Sequence, residues 1–258
     1  NEHMKFNFLL NKSLEMGADF LATGHYAKIS KNSSGTYFLE KGKDKFKDQS
    51  YFLFTLSQKE LSRLMFPLGE FNKSQVREIS EGFELTVASK KDSQDVCFIA
   101  KDYRGFIEKN LPGTTMKKGY IKSLDGNVLG SHSGIHNFTI GQRKKLGIES
   151  MKAMYVVSIN FQNNDVLVGN KEDLYSKVLF ANNLNWTVDP KDLVEKKIEA
   201  KIRYRSPESL ASIRFVNGRL HVLFDEAQRS ITPGQAIVFY RDDKVLGGGW
   251  IDEVCREN

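Results

Sequence analysis

The sequence of 258 residues has few cysteines and no long apolar run. Cys97 and Cys255 are its only cysteines, too few for a disulfide framework, so we expect a reducing, cytoplasmic compartment. A membrane-spanning helix needs about 18 or more consecutive apolar residues, and the absence of such a run predicts that the chain has no membrane partner. The sequence also shows no signal peptide, no internal repeat and no low-complexity tract.

A large excess of one charge is also absent. The 38 lysines and arginines exceed the 32 aspartates and glutamates by 6, and so mild an excess indicates nucleic-acid binding only where the basic residues cluster. With 40% hydrophobic and 27% charged residues, the composition is that of a globular protein able to bury a core. The length fits one large domain or roughly two to three small ones.

The first part of the chain has the pattern of an α/β domain. The spacing of apolar residues over 6–14 predicts a helix that ends near Gly17, and residues 19–26 predict a short buried strand that leads into a turn at Gly24 and His25. Ligands of such sheets bind beyond the carboxyl ends of the strands, where Gly24 and His25 would lie. A turn with a purely structural role fits the same residues.

A dense polar loop over 43–50 separates a predicted strand at 37–42 from the apolar residues 51–54. Charged loops of this kind are usually solvated surface. The functional alternative is a loop that meets an anionic partner, with Lys47 on a phosphate and Gln49 on a base edge or a sugar.

From residue 119 onward the sequence predicts short strands separated by glycine turns, and from residue 178 it predicts only strands. Turn signals at Asn217-Gly218 and Pro233-Gly234 divide the later strands, as in a small β-barrel. The alternation over 200–205 places Lys201, Arg203 and Arg205 on one face of a predicted strand. Such a face fits either a nucleic-acid contact or a solvated sheet edge.

Two histidines, His132 and His136, lie four residues apart, a spacing that brings metal ligands together on a helix. Gly134 between them disfavours a helix, and no third ligand is evident. We therefore predict no metal site.

The segment 89–99 places Cys97 between a basic, polar approach with Lys90 and Lys91 and a short apolar run. Free cysteine is among the most often buried residues, so a core position is one interpretation. The other interpretation is a reactive thiol, because nearby cations and polar donors lower the pKa of a thiol. The residues alone leave both open.

Nine short segments together resemble one family. They are Ala22–Tyr26, Lys47–Leu53, Phe66–Gly69, Lys90–Ser93, Cys97–Ile99, Thr139–Arg143, Arg203–Arg205, Pro233–Ala236 and Gly247–Gly249. In this order the chain resembles the tRNA-specific 2-thiouridylase (MnmA/TrmU) family over nearly its whole length. None of the segments is specific alone, but the ordered set is.

The resemblance implies a fold in three parts. We expect an α/β remnant of an ATP-pyrophosphatase (adenine nucleotide alpha-hydrolase-like) domain, a small central domain and a C-terminal β-barrel. The predicted boundaries are 1–64 with 90–101 for the ATP-pyrophosphatase part, 65–89 with 102–175 for a central tRNA-binding domain, and 176–258 for the barrel.

The resemblance also implies the activity, ATP-dependent 2-thiolation of the wobble uridine in tRNAs for Lys, Glu and Gln. In the family ATP, which we expect to bind with Mg²⁺, adenylates the C2 oxygen, and a cysteine persulfide loaded by a sulfur-carrier protein delivers the sulfur. Cys97 matches that cysteine, and Gly24 matches a glycine that contacts ATP. The residues that match tRNA contacts are Lys47, Asp48, Gln49, Arg203 and Tyr204.

The chain departs from the family pattern at its beginning. The Ser-Gly-Gly-X-Asp-Ser phosphate loop is absent, as is the first catalytic cysteine, which in the family immediately precedes the residue matching Asn1. We expect this polypeptide to be the C-terminal two-thirds of a thiouridylase and inactive by itself, with Cys255 too far along the chain to replace the missing thiol. A lysine, Lys145, stands where the family usually has glycine, and it adds a candidate phosphate contact.

Two alternatives to a sulfurtransferase remain. A non-catalytic tRNA-binding module would use the basic residues of 43–47, 143–145 and Arg203 and would not need Cys97. A related ATP-pyrophosphatase acting on a small molecule is disfavoured by the two barrel-like domains and the Lys-Asp-Gln segment.

Overall fold

A computed structural model describes residues 2–85, 105 and 117–256. The chain divides into two compact units, the first formed by Asn1–Lys90, Val178–Glu226 and Pro233–Val254 and the second by Lys91–Lys177, Ala227–Thr232 and Cys255–Asn258. Residues 65–89, which the sequence analysis assigns to the central domain, fall in the first unit. The domain boundaries themselves stay predictions.

The described residues form three α-helices and fourteen strands. The helices are α1 (Leu10–Glu15), α2 (Gln58–Leu61) and α3 (Lys73–Gly82). The strands are β1 (Leu21–Ala22), β2 (Ala27–Lys31), β3 (Tyr37–Lys41), β4 (Leu64–Met65), β5 (Gly119–Ser123), β6 (Val128–His132), β7 (Tyr155–Asn160), β8 (Asp165–Gly169), β9 (Tyr175–Trp186), β10 (Ile198–Lys201), β11 (Ser209–Val216), β12 (Arg219–Arg229), β13 (Ala236–Arg241) and β14 (Lys244–Cys255). Within 2–85, 105 and 117–256, no helix has the length and apolar character needed to cross a membrane.

The predicted helix at the start of the first unit is confirmed. A π-helical segment over Glu2–Leu9 continues into α1, and Gly17 follows with φ +89, a conformation that glycine adopts without strain. Phe6, Leu10 and Leu14 recur every four residues and face the core, with Phe6 and Leu10 buried.

The strand predicted over 19–26 is shorter and less buried than expected. Only Leu21 and Ala22 form β1, which pairs in parallel with β4, and Ala22 is exposed. The prediction of a buried strand was wrong because, in the described part of the chain, β1 has a neighbour on one side only. The turn predicted after the strand is present, and Gly24 follows the carboxyl end of β1.

Six strands close into a barrel in the order β13-β10-β11-β12-β9-β14, with β13 pairing back to β14. The predicted barrel is thereby confirmed. The hairpin of β2 and β3 extends the same sheet, because β3 pairs with β14. The predicted turn between β11 and β12 is also present, with Asn217 at φ +49 and Gly218 at φ +77, as a two-residue hairpin requires.

One strand prediction in the barrel was wrong at its end. Strand β10 stops at Lys201, so Arg203 and Arg205 do not share a strand face with it. Residues 203–206 instead form a turn, in which the amide and the hydroxyl of Ser206 both donate to the Arg203 carbonyl at 3.1 and 2.9 Å. Pro207 follows and lacks the N–H that a continued strand would donate.

The barrel and the α/β segments of the first unit share one hydrophobic core. Leu53 and Phe54 are buried together with barrel residues Val238 and Tyr240. The backbone of β14 approaches closely at Gly248, where an added Cβ would lie 2.6 Å from the Phe54 ring. The segment after the polar loop is therefore packed directly onto the barrel.

The second unit is built on a four-stranded sheet in the order β6-β5-β8-β7. Short strands separated by turns are present as predicted, with Gly126 at φ +87 between β5 and β6 and Asn164 at φ +55 between β7 and β8. Ile121, Val156 and Val166 are fully buried in its core.

Candidate nucleic-acid interface

The polar loop over 43–50 is held by the carboxylate of Asp48, which is only 7% exposed. Its Oδ1 accepts hydrogen bonds from the Gly42 amide at 2.9 Å and the Ser50 amide at 3.1 Å, and its Oδ2 accepts from the Ser50 hydroxyl at 2.8 Å. The Ser50 hydroxyl also lies 3.3 Å from the hydroxyl of Tyr240 in β13. Asp48 is thus turned inward and fixes the loop to the barrel.

Gln49 joins the loop to the segment that follows β1. Its amide donates to the Tyr26 carbonyl at 2.8 Å, and its side-chain Oε1 accepts from the Tyr26 amide at 3.0 Å. These paired bonds fix the orientation of the side chain, which is half-buried.

The tip of the loop presents an aromatic ring among cations. Phe46 is 95% exposed between Lys45 and Lys47. Its amide donates to Asp44 Oδ1 at 3.0 Å, which orders the tip. An ordered, fully exposed phenylalanine flanked by lysines suits an unstacked base, and the sequence analysis did not single it out.

The 203–206 turn packs against Phe52, just beyond the end of this loop. The Tyr204 ring lies 4.5 Å from the Phe52 ring, centroid to centroid. Burial raises the pKa of Tyr204, the negative charge of Asp48 raises it further, and Lys47 opposes the change. The sequence-predicted residues Lys47, Asp48 and Tyr204 therefore lie within electrostatic range of one another.

A cavity of about 700 Å³ opens beside these residues, here called the aromatic cavity. It is lined by Met4, Tyr51, Phe52, Phe54, Thr55, Arg203, Tyr204, Gly234, Gln235, Ala236 and Trp250. Aromatic faces beside an arginine and an exposed amide are the groups on which bases stack and to which their edges hydrogen-bond. Burial raises the pKa of Tyr51 to about 12, so its hydroxyl stays protonated and donates to the Ala236 carbonyl at 2.8 Å.

Sequence reasoning assigned no role to several of these residues. Phe52 and Gln235 fall inside segments quoted for the family resemblance, but Trp250 and Phe54 do not stand out by spacing. The signal that could have found Phe52 and Phe54 is the aromatic density of 51–54, where every residue but Leu53 is aromatic. Phe54 is buried and packs edge-on against Trp250, with centroids 5.7 Å apart.

The predicted nucleotide-contacting residue lies where the α/β pattern placed it. Gly24 is exposed just beyond the carboxyl end of β1, and an added Cβ there would lie 3.6 Å from Leu68, an ordinary contact. Next to it, Thr23 Oγ1 lies 2.7 Å from His25 Nδ1. Burial lowers the pKa of His25 to about 4, and Lys5 contributes, so the imidazole is neutral at neutral pH. Gly24 therefore offers backbone rather than charge to a ligand.

The two cysteines of the chain are Cys97 and Cys255. Cys97 lies outside the described residues. Cys255 is the last residue of β14, half-buried, and its carbonyl accepts a hydrogen bond from the Ser176 hydroxyl.

Three family models match the chain in succession. They describe a tRNA methyl transferase HUP domain over residues 1–101, a tRNA methyl transferase PRC-barrel domain over 104–170 and an aminomethyltransferase β-barrel domain over 176–251. The predicted fold class, a nucleotide α-hydrolase-like part followed by a central domain and a closed barrel, is confirmed by these matches and by the six-stranded barrel.

Curated relatives match the chain almost end to end. The tRNA-specific 2-thiouridylase MnmA of Halothermothrix orenii is 44% identical over 98% of this chain and 71% of its own length. The proteins of the same name from Geobacter metallireducens and Acetivibrio thermocellus are each 44% identical, over 100% and 97% of this chain and 70% of their own lengths. On this similarity, and on the three domains matched in order, the chain belongs to the tRNA-specific 2-thiouridylase MnmA family.

Proposed function

We propose that this chain acts in the ATP-dependent 2-thiolation of the wobble uridine of tRNA. The observation that carries the proposal is one surface formed by two segments far apart in sequence, the 43–50 loop and the 203–206 turn, beside the aromatic cavity. A surface that combines lysines, an arginine and accessible rings matches the phosphates and unstacked bases of a tRNA loop.

Each of these residues would make the RNA contact that its side chain allows. Lys47 and Arg203 would neutralise backbone phosphates, and Tyr204 would stack on a base, with Gln49 presenting its amide. The buried Asp48 would act through the loop it braces, as a positioning residue rather than a contact. The proposed substrates are the tRNAs for Lys, Glu and Gln, in the cytoplasm.

ATP fits the position of Gly24. The exposed backbone beyond a parallel strand would allow a nucleotide to approach. Bound there, ATP would supply the activation of the uridine C2 oxygen as a leaving group. Among the described residues, no group of three or more His, Cys, Asp or Glu side chains is placed to hold a metal ion. Mg²⁺ would bind together with ATP, through its phosphates.

The sulfur would be carried by Cys97. A thiol accepts sulfane sulfur from a carrier protein as a persulfide. The outer sulfur of a Cys97 persulfide would attack the activated C2 carbon and displace AMP. A second thiol, which in the family comes from the cysteine preceding the residue that matches Asn1, would then form a disulfide with Cys97 and release the thiolated uridine. Nearby cations favour the thiolate that this chemistry needs, and Lys90 and Lys91 precede Cys97 closely in the sequence.

Replacing Cys97 tests the catalytic part of the proposal. In a strain whose tRNA thiolation depends on the gene for this chain, Cys97→Ser should abolish 2-thiouridine, measured by mass spectrometry of digested tRNA, and Cys255→Ser should leave it unchanged. Normal 2-thiouridine with Cys97→Ser would rule out the sulfur-carrying role. The chain would then be a non-catalytic tRNA-binding module.

A further inference from the structure

The second unit contains a cavity that the proposed function does not use, here called the polar cavity. Its volume is about 390 Å³. It is lined by Ser131, His132, Ser133, Asn137, Phe138, Gln142, Lys145, Leu146 and Gly147. Most of these side chains are polar, and hydroxyls, amides and one ammonium group are the donors that a phosphate or a sugar accepts from.

Lys145 holds an unfavourable backbone conformation at the rim of this cavity. Its φ is +60, in the left-handed region, which costs a residue with a Cβ roughly 1 kcal/mol or more. Glycine would take this conformation without that cost. A lysine kept there, with its side chain lining the cavity, indicates a use for the ammonium group.

The loop that carries Lys145 is ordered by a neighbouring side chain. Gln142 Oε1 accepts from the Thr139 amide at 3.0 Å, and Gln142 Nε2 donates to the Lys144 carbonyl at 3.0 Å. These bonds fix the backbone on both sides of Gln142 and end at the residue before Lys145. The ammonium group is therefore presented from a braced loop, so less entropy is lost when it binds an anion.

His132 lines the polar cavity and is held in a fixed orientation. It is 9% exposed, and its Nε2 lies 3.1 Å from the Asn164 carbonyl. Because a carbonyl only accepts, the proton is on Nε2, and Nδ1 is the acceptor. Within the part of the chain that the structure describes, Nδ1 is enclosed and has no hydrogen-bond partner. With Nδ1 enclosed and Nε2 occupied, His132 shapes the wall of the cavity, and the positive charge for an anion comes from Lys145.

We propose that the polar cavity binds a backbone phosphate of tRNA, with Lys145 as the cation that neutralises it. The inference rests on the proposed function, since the ligand is part of the same RNA. Arg143 and Lys144 are exposed next to Lys145, so the positive charge continues outside the cavity, as a polyanion requires and a free phosphate does not.

The affinity of the chain for tRNA, measured over a range of salt concentrations, tests the proposal. Lys145→Gly removes the charge and also relieves the backbone strain, so folding should be unharmed. We expect tRNA binding to weaken about 3- to 10-fold and the slope of log K against log salt to fall by about 0.7 to 0.9.

Two further variants distinguish this contact from an unspecific effect of losing one positive charge. Lys144→Ala removes the same charge one residue away, at a position that does not line the cavity, and should have a smaller effect on affinity. Lys145→Arg should bind within about 2-fold of the unaltered chain, since it restores the cation.

The possible failures can be told apart. If the unaltered chain binds tRNA and Lys145→Gly weakens binding no more than Lys144→Ala does, the phosphate site is refuted and the proposed function stands. If the unaltered chain does not bind tRNA at all, both are refuted.

Discussion

The two basic surfaces of this chain are braced in different ways. The 43–50 loop is fixed by a buried carboxylate, Asp48, that accepts three hydrogen bonds and connects through Ser50 to the barrel. The loop over 139–147 in the second unit is fixed by a half-buried amide, Gln142, that makes two bonds to backbone within its own loop. Hydrogen bonds to a buried charge are stronger than those of a neutral, solvated amide.

The two loops therefore depend on different contacts. The first loop is held through Ser50 to Tyr240 of the barrel and through Gln49 to Tyr26. The second loop has side-chain bonds within its own few residues, together with backbone bonds that join Gly141 and Gln142 to Val156 of β7. Changes to the bracing residues should therefore have unequal effects. Both tryptophans of the chain, Trp186 and Trp250, lie in the first unit, so their fluorescence reports on that unit alone.

The largest effect is expected from Asp48→Ala. It leaves the Gly42 and Ser50 amides without an acceptor, and it should lower the free energy of unfolding by roughly 2–4 kcal/mol. Urea denaturation followed by tryptophan fluorescence measures this. Asp48→Asn keeps the shape and an acceptor oxygen and should lose less than half as much. Unchanged stability of Asp48→Ala would show that the carboxylate does not brace the loop.

A smaller effect, dependent on pH, is expected at His25. Its pKa is lowered to about 4 in the folded chain from 6.5, because of burial, so the unfolded chain binds the proton first as the pH falls. The contribution of His25 to the free energy of unfolding is fully present above pH 6.5 and is lost progressively toward pH 4. At pH 5 the loss amounts to about 1–2 kcal/mol.

The variant His25→Asn isolates this titration. Asparagine places a polar atom near the position of Nδ1, within reach of Thr23, but does not ionise. Tryptophan-detected unfolding of the variant should depend less on pH between 6.5 and 5 than that of the unaltered chain. Identical pH profiles for the two would contradict the lowered pKa.

The smallest effect is expected from Gln142→Ala. Two bonds in a solvated loop contribute about 0.5–1 kcal/mol, and their loss should loosen the loop without unfolding the second unit. Hydrogen–deuterium exchange should become faster at the Thr139 amide and stay unchanged in β8. An increase throughout the β-sheet would mean that Gln142 supports the whole unit, and the contrast with Asp48 would disappear.

The sequence predicted local features well and long-range ones poorly. The helix ending at Gly17 and the turn at Asn217-Gly218 follow from local spacing and from residues that tolerate positive φ, and both are present. The end of β10 was missed because Ser206 and Pro207, rather than the alternating pattern, decide where the strand stops. The burial of Asp48 beside Ser50, which contacts Tyr240 far along the chain, is a long-range feature that no local pattern shows.

The candidate site, like the fold, could be predicted in its local features but not in its long-range contacts. Resemblance to the family identified Lys47, Gln49, Arg203 and Tyr204 as candidates, but their proximity is a property of the fold. Phe46 and Trp250 were missed because an exposed ring and a buried one look the same in a sequence. The role of Cys97 stays a prediction, since it lies outside the described residues.

The salt dependence of tRNA binding by Lys47→Ala, Arg203→Ala and the variant with both changes tests the proposed tRNA-binding surface most directly. Lys191→Ala, an exposed lysine of the barrel that does not line the aromatic cavity, is the matched control. If both cations contact the RNA, the slope of log K against log salt should fall by about 0.7–0.9 in each single variant and by about twice that in the double variant, with the control unchanged. A double variant with the slope of the unaltered chain would contradict the claim that the 43–50 loop and the 203–206 turn form one tRNA-binding surface.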